Sequence, residues 1–124
     1  MLGRMNVLII LAGLMGAAGV TLAAAASHVD TPVKLDSGAY LLLFHASAVI
    51  TGISAIDRGL AWRPLGIVAV VGFIIGSTVF ASDLALRAFA GSRLFPMAAP
   101  TGGVILIASW LGVSAAAAVG LWRS

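Results

Sequence analysis

Four long runs of apolar residues, separated by short polar breaks, make up most of the chain. The first extends from about Asn6 to Ala26 and gives way to Ser27, His28, Asp30, Thr31, Pro32, Lys34 and Asp36. The second extends from Gly38 to Ile56; Asp36 or Ser37 is placed to cap its start, and Asp57, Arg58 and Gly59 end it. The third opens at Pro64, a favourable first helical residue beside Arg63. It stays uncharged from Leu65 to Ser82 and then meets Asp83 and Arg87. A short connection holds Gly91, Ser92, Arg93 and Pro96, and the fourth run covers Thr101 to Leu121, just after Pro100. A helix needs about 20 apolar residues to cross the hydrocarbon core of a bilayer, and each run supplies roughly that. The pattern predicts an all-α membrane protein. Residues 1–124 form a single domain, a four-transmembrane-helix bundle with short loops, its helices at about 5–27, 38–56, 64–89 and 101–121.

Composition narrows the function classes. Of the 124 residues 61% are hydrophobic and 9% charged, against about 25% charged in a soluble domain. Little chain lies outside the apolar runs, which leaves no fold for a soluble catalytic domain. The net charge of +3 does not indicate a nucleic-acid partner, because the basic residues are scattered instead of forming a stripe. They sit near the ends of the runs, where cations orient membrane helices. Arg4, Arg58, Arg63 and Arg123 fall on one side; Lys34, Arg93 and Arg87 fall on the other. The excess places both termini in the cytoplasm, with a bacterial plasma (inner) membrane and its lipid bilayer as the expected setting. Cysteine is absent, so thiolate chemistry and disulfides are excluded.

Lipid gives helices no hydrophobic reason to associate, so small residues that allow close approach must supply much of the contact. Gly13 and Gly16 in the first helix, the G-x-x-x-G pair Gly72 and Gly76 in the third, and Gly112, Ala116 and Gly120 in the fourth are the expected packing positions. Such stripes serve packing within one chain as well as dimerisation, and the first is the expectation here. Trp62, Trp122 and Tyr40 fit interfacial aromatic belts. Trp110 does not, since it falls mid-helix, where its indole N–H needs a partner such as a carbonyl or a serine.

Ionisable residues inside a span are costly and are functional candidates by default. His45 lies within the second helix, His28 just beyond the first, and Asp83 and Arg87 are four apart on one face at the end of the third. In the predicted topology His28, Tyr40, His45, Asp83 and Arg87 share one half of the membrane, and they form the candidate polar cluster, with His45 facing Asp83 or a hydroxyl. The structural alternatives are a neutral His45 bonded to a carbonyl or hydroxyl of a neighbouring helix, and an interfacial Asp83–Arg87 ion pair. Two histidines without a second carboxylate or thiolate nearby make a poor metal or haem site. No metal, cofactor or catalytic motif is predicted.

Local motifs resemble a known family. Ala23 to His28 resembles G-A-F-G-A-H-G, with His28 on the histidine. Tyr40-Leu41-Leu42-Leu43-Phe44-His45-Ala46 resembles Y-x-x-x-H-A, with His45 on the histidine. Phe80 to Leu84, Ala99 to Gly103 and Ser109-Trp110 resemble F-S-G-S-L-Y, G-P-I-T-P-x-G-G and a late G-W. These are features of the small bacterial YgdD-like family, domain of unknown function 423, whose eukaryotic relatives are called transmembrane protein 256. Asp83 stands where the family has a small polar residue, Ala99 replaces a threonine and Ser109 a glycine, so the chain resembles a divergent member. The resemblance implies four helices and an intact first one. The latter matters because Arg4, the Val7–Leu22 stretch and the Ala24/Ala26 pair also fit a cleavable signal peptide. It carries no biochemical activity.

The leading functional expectation is therefore a non-enzymatic integral membrane protein, an accessory or assembly subunit of a larger membrane complex, with a homo-oligomer as the other partner class. The alternative is a small proton or solute transporter or channel using the polar cluster. Ser47, Thr51 and Ser54 discriminate: a pore faces them to a wet lumen, whereas an accessory subunit buries them or turns them to a partner.

Overall fold

A computed structural model describes the chain from Leu2 to Ser124. It contains four helices, α1 (Leu2–Ala26), α2 (Leu35–Asp57), α3 (Arg63–Phe89) and α4 (Ala98–Arg123). All four are long and apolar enough to cross a membrane. Each packs on its neighbour in sequence, and α1 also touches α3 slightly. The two inner helices, α2 and α3, are therefore buried on several sides, while α1 and α4 flank them and present aliphatic side chains outward.

The helices begin earlier than the polar pattern predicts. α2 starts at Leu35, with Lys34 as N-cap and no side-chain cap. Asp36 thus lies in the first turn, where its charge favours the helix dipole, and its Oδ1 accepts from the Ser37 N–H at 3.0 Å. α4 starts at Ala98, so Pro100 lies inside the first turn instead of before it. A proline costs little there, because first-turn N–H groups have no intrahelical acceptor. α2 ends as its sequence implies. Gly59 takes φ +78°, and the Leu60 and Gly59 N–H groups bond the Ala55 and Ile56 carbonyls, each at 3.0 Å, a Schellman closure.

The core follows the small-residue stripes. A Cβ on Gly102 would lie 2.6 Å from the Gly76 carbonyl oxygen, and one on Gly76 would lie 2.9 Å from that of Gly102. Helices α3 and α4 therefore meet backbone to backbone at this pair. Gly72 faces Ser109, and Gly112 faces Ala69. Ala116 is fully buried, its carbonyl accepting from the Trp62 N–H at 2.9 Å, and Gly120 abuts the Leu60 carbonyl. These positions pack within the chain. Gly16 approaches Ala46 of α2, but Gly13 meets nothing and faces outward, which corrects its expected packing role. The buried cluster beneath includes Met5, Ala12, Val49, Ile53, Val70, Phe73 and Leu106.

Candidate functional site

His45 is 5% exposed and lies ten residues into α2, about 15 Å from its start at 1.5 Å per residue. Half of a roughly 30 Å hydrocarbon core is the same distance, so the imidazole sits near mid-membrane. Both ring nitrogens are engaged. Nδ1 is 2.7 Å from the Leu41 carbonyl oxygen one turn back, and Nε2 is 3.0 Å from the Trp110 indole nitrogen of α4. A carbonyl only accepts and an indole only donates. The tautomer follows: Nδ1–H donates to Leu41, and the Nε2 lone pair accepts from Trp110. His45 is thus neutral and fully satisfied.

Phe73 of α3 completes the arrangement. Its ring centroid lies 5.3 Å from that of His45 and 4.6 Å from that of Trp110, and the His45 and Trp110 rings meet edge-on at 5.8 Å. Three rings from three helices meet where α4 packs over α3, with Phe73 almost wholly buried and Trp110 still 48% exposed. The expected acceptor for Trp110 was a carbonyl or serine, and the expected partner of His45 was Asp83 or a hydroxyl. The structure pairs the two residues with each other. The signal was present in sequence as an orphan mid-helix donor and a mid-helix acceptor at similar depth.

Asp83 has a different environment. It is fully buried, six residues from the end of α3. Oδ1 accepts from the Leu94 N–H at 3.0 Å, and Oδ2 has no hydrogen-bond partner among the described residues. Arg87 makes no ion pair with it, in contrast to the expected interfacial pair. Asp83 turns toward the loop joining α3 to α4 and fastens that loop to the helix. His28 is exposed beyond α1, and Tyr40 is 51% exposed, its ring 6.3 Å from that of Phe44 on its own helix. No hydrogen bond joins His45 to Asp83. The five candidates divide into a His45–Trp110–Phe73 knot, an Asp83–loop contact, the exposed His28 and Tyr40, and a half-buried Arg87. Among the described residues no group of three His, Asp or Glu side chains could hold a metal ion. An apolar groove between α1 and α3, lined by Ala18, Leu42, Ala81 and Ser82 among others, opens toward lipid.

The family described as protein of unknown function (DUF423) matches residues 15–103, well over half of the chain and from the middle of α1 into the second turn of α4. The chain belongs to the DUF423 family. No curated protein and no solved structure matches it. With four membrane-length helices, it is an integral membrane protein of a family of unknown function. The DUF423 match contains His28, Tyr40, His45, Phe73, Asp83 and Arg87, whereas Trp110 lies beyond its end.

Proposed function

We propose that this DUF423 protein is a non-enzymatic component of a membrane assembly, an accessory or assembly subunit packed against a larger complex. It resides in the bacterial plasma membrane with both termini in the cytoplasm. The observation that carries this reading is the double engagement of His45. The one imidazole at mid-membrane is the side chain best suited to relay a proton or ligate a metal, and both its nitrogens are spent on Leu41 and Trp110. Its bond to Trp110 holds α2 to α4, which is the work of a structural element. Asp83 likewise fastens a loop. Ser47, Thr51 and Ser54 are exposed on the outside of the bundle and line no interior lumen, which favours a partner over a pore within one chain.

The test is extraction from native membranes in mild detergent, followed by native electrophoresis and mass spectrometry of what travels with the chain. A stoichiometric companion of different sequence is the expected result. Migration without any such companion would overturn the reading and favour transport. The charge bias is tested separately by labelling single cysteines at Ser124 and Thr31 from outside the cell; only the second is expected to react.

A further inference from the structure

The outward faces of the helices differ in chemistry. That of α1 is aliphatic, with Val7, Ile10, Leu14 and Val20 each more than half exposed. That of α4 carries Val104, Ile107 and Leu111, each about two-thirds exposed. Such faces suit lipid tails. The outward face of α2 carries Tyr40, Phe44, Ser47, Thr51 and Ser54, all exposed, with three hydroxyls through the middle of the span. We propose that this face pairs with the same face of a second copy of the chain, the two α2 helices lying side by side and parallel.

Four features support the second copy as the occupant. The exposed positions recur at alternating intervals of four and three and continue to Arg58, the period of a left-handed helix pair. Copies of one chain insert in the same direction, so a two-fold axis along the membrane normal makes their α2 helices parallel. Hydroxyls match themselves, because each is one donor and two acceptor sites. The Ser47 and Thr51 hydroxyls donate to the Leu43 and Ser47 carbonyls at 3.2 and 2.8 Å, which leaves their oxygens as acceptors. Ser54 makes no side-chain hydrogen bond among the described residues, which leaves it as a donor; lipid tails offer neither. Finally, Asp57 and Arg58 are both exposed and neither forms an ion pair among the described residues. In knobs-into-holes packing the seam position of Arg58 sits against the preceding flanking position of the other helix, which is Asp57 of the second copy. The two-fold axis makes two such pairs.

This pairing holds with or without a larger complex, but it gives the Ser47, Thr51 and Ser54 face, which the accessory-subunit reading turns to a partner, to a second copy of the chain. The chain has no cysteine, so single cysteines report contacts directly. S47C, T51C and S54C are placed on the seam, and L14C in α1 and I107C and L111C in α4 serve as outward controls. Each is nearly the size of the residue it replaces or sits at an exposed position, so folding is preserved. A disulfide needs Cβ atoms about 4 Å apart, which only facing positions offer. Oxidation of the full chain in native membranes is expected to give disulfide-linked dimers of this chain at the three seam positions, several-fold above the controls. Equal yields at seam and controls, or seam cross-links only to a different protein, would overturn the proposal.

Discussion

Trp110→Phe isolates the bond that joins α4 to α2. Phenylalanine keeps an aromatic ring against Phe73, whose centroid is 4.6 Å away, and removes the N–H that reaches His45 Nε2. The acceptor is then left without a donor on a residue that is 5% exposed. In soluble proteins an orphaned buried polar group costs about 1–3 kcal/mol. Interhelical bonds in membranes average about 0.6 and reach about 1.7 kcal/mol, because the unfolded chain in lipid also finds partners. Roughly 1 kcal/mol of destabilisation is therefore expected, part of it from lost ring area. A double-mutant cycle removes that part. His45→Phe and Trp110→Phe each break the same bond, so the double variant should be less destabilised than the sum of the singles by about 0.5–1.5 kcal/mol. Reversible unfolding in mixed micelles measures all four corners. Additivity within about 0.3 kcal/mol would show that the bond contributes nothing, and the structural reading of His45 would fall with it. Nitrogen-15 NMR of the imidazole supplies a separate check, with the proton expected on Nδ1.

Gly102→Ala places a methyl 2.6 Å from the Gly76 carbonyl and 2.9 Å from the Phe80 nitrogen; both are backbone atoms that cannot step aside, so a loss of about 1–3 kcal/mol is expected in the same unfolding assay. Gly13→Ala meets nothing within 4 Å and should be neutral or stabilising by up to about 1 kcal/mol through helix propensity; equal losses at the two sites would contradict the packing described. Asp83→Asn retains an oxygen for the Leu94 N–H, whereas Asp83→Leu does not, so protease cleavage or amide exchange in residues 90–97 should rise only in the second. Gly59→Ala forces a Cβ into φ +78° and should cost about 1 kcal/mol.

Helix number and type were legible because they depend on one quantity, the length of uncharged apolar sequence relative to bilayer thickness. Boundaries were less so. Pro100 and Asp36 read as markers of where helices begin, but a first turn has no N–H bonds to lose, so α4 and α2 extend past them. Gly72, Gly76, Gly112, Ala116 and Gly120 were legible as close-packing positions because only small side chains let backbones touch, but Gly102, which meets Gly76, was not among them because it lies at the start of α4 near Pro100. Gly13 was misplaced, since the residue type says that approach is possible and not that a helix is there. For the polar residues, sequence gives depth along each helix but not azimuth. Asp83 and Arg87 are four apart and looked paired, yet Asp83 turns inward to a loop amide. His45 and Trp110 are 65 positions apart, and only the α3–α4 approach makes them neighbours.

The glycine contacts and the polar bond are for that reason parts of one arrangement. Trp110 reaches His45 across α3, side chain to side chain, where the α2 and α4 backbones stay apart. For an indole on α4 to meet an imidazole on α2, α4 must lie close against α3, and the Gly76–Gly102 contact sets that spacing at the backbone. Gly72 then admits the Ser109 side chain, which is held to its own helix by a bond from its Oγ to the Ile105 carbonyl at 2.8 Å, and the next residue, Trp110, is delivered over the Phe73 ring. Larger side chains along the stripe would move the indole out of reach and leave a buried acceptor in hydrocarbon. The small residues of α3 and α4 therefore do more than allow contact: they place the one donor that lets a histidine be buried at mid-membrane.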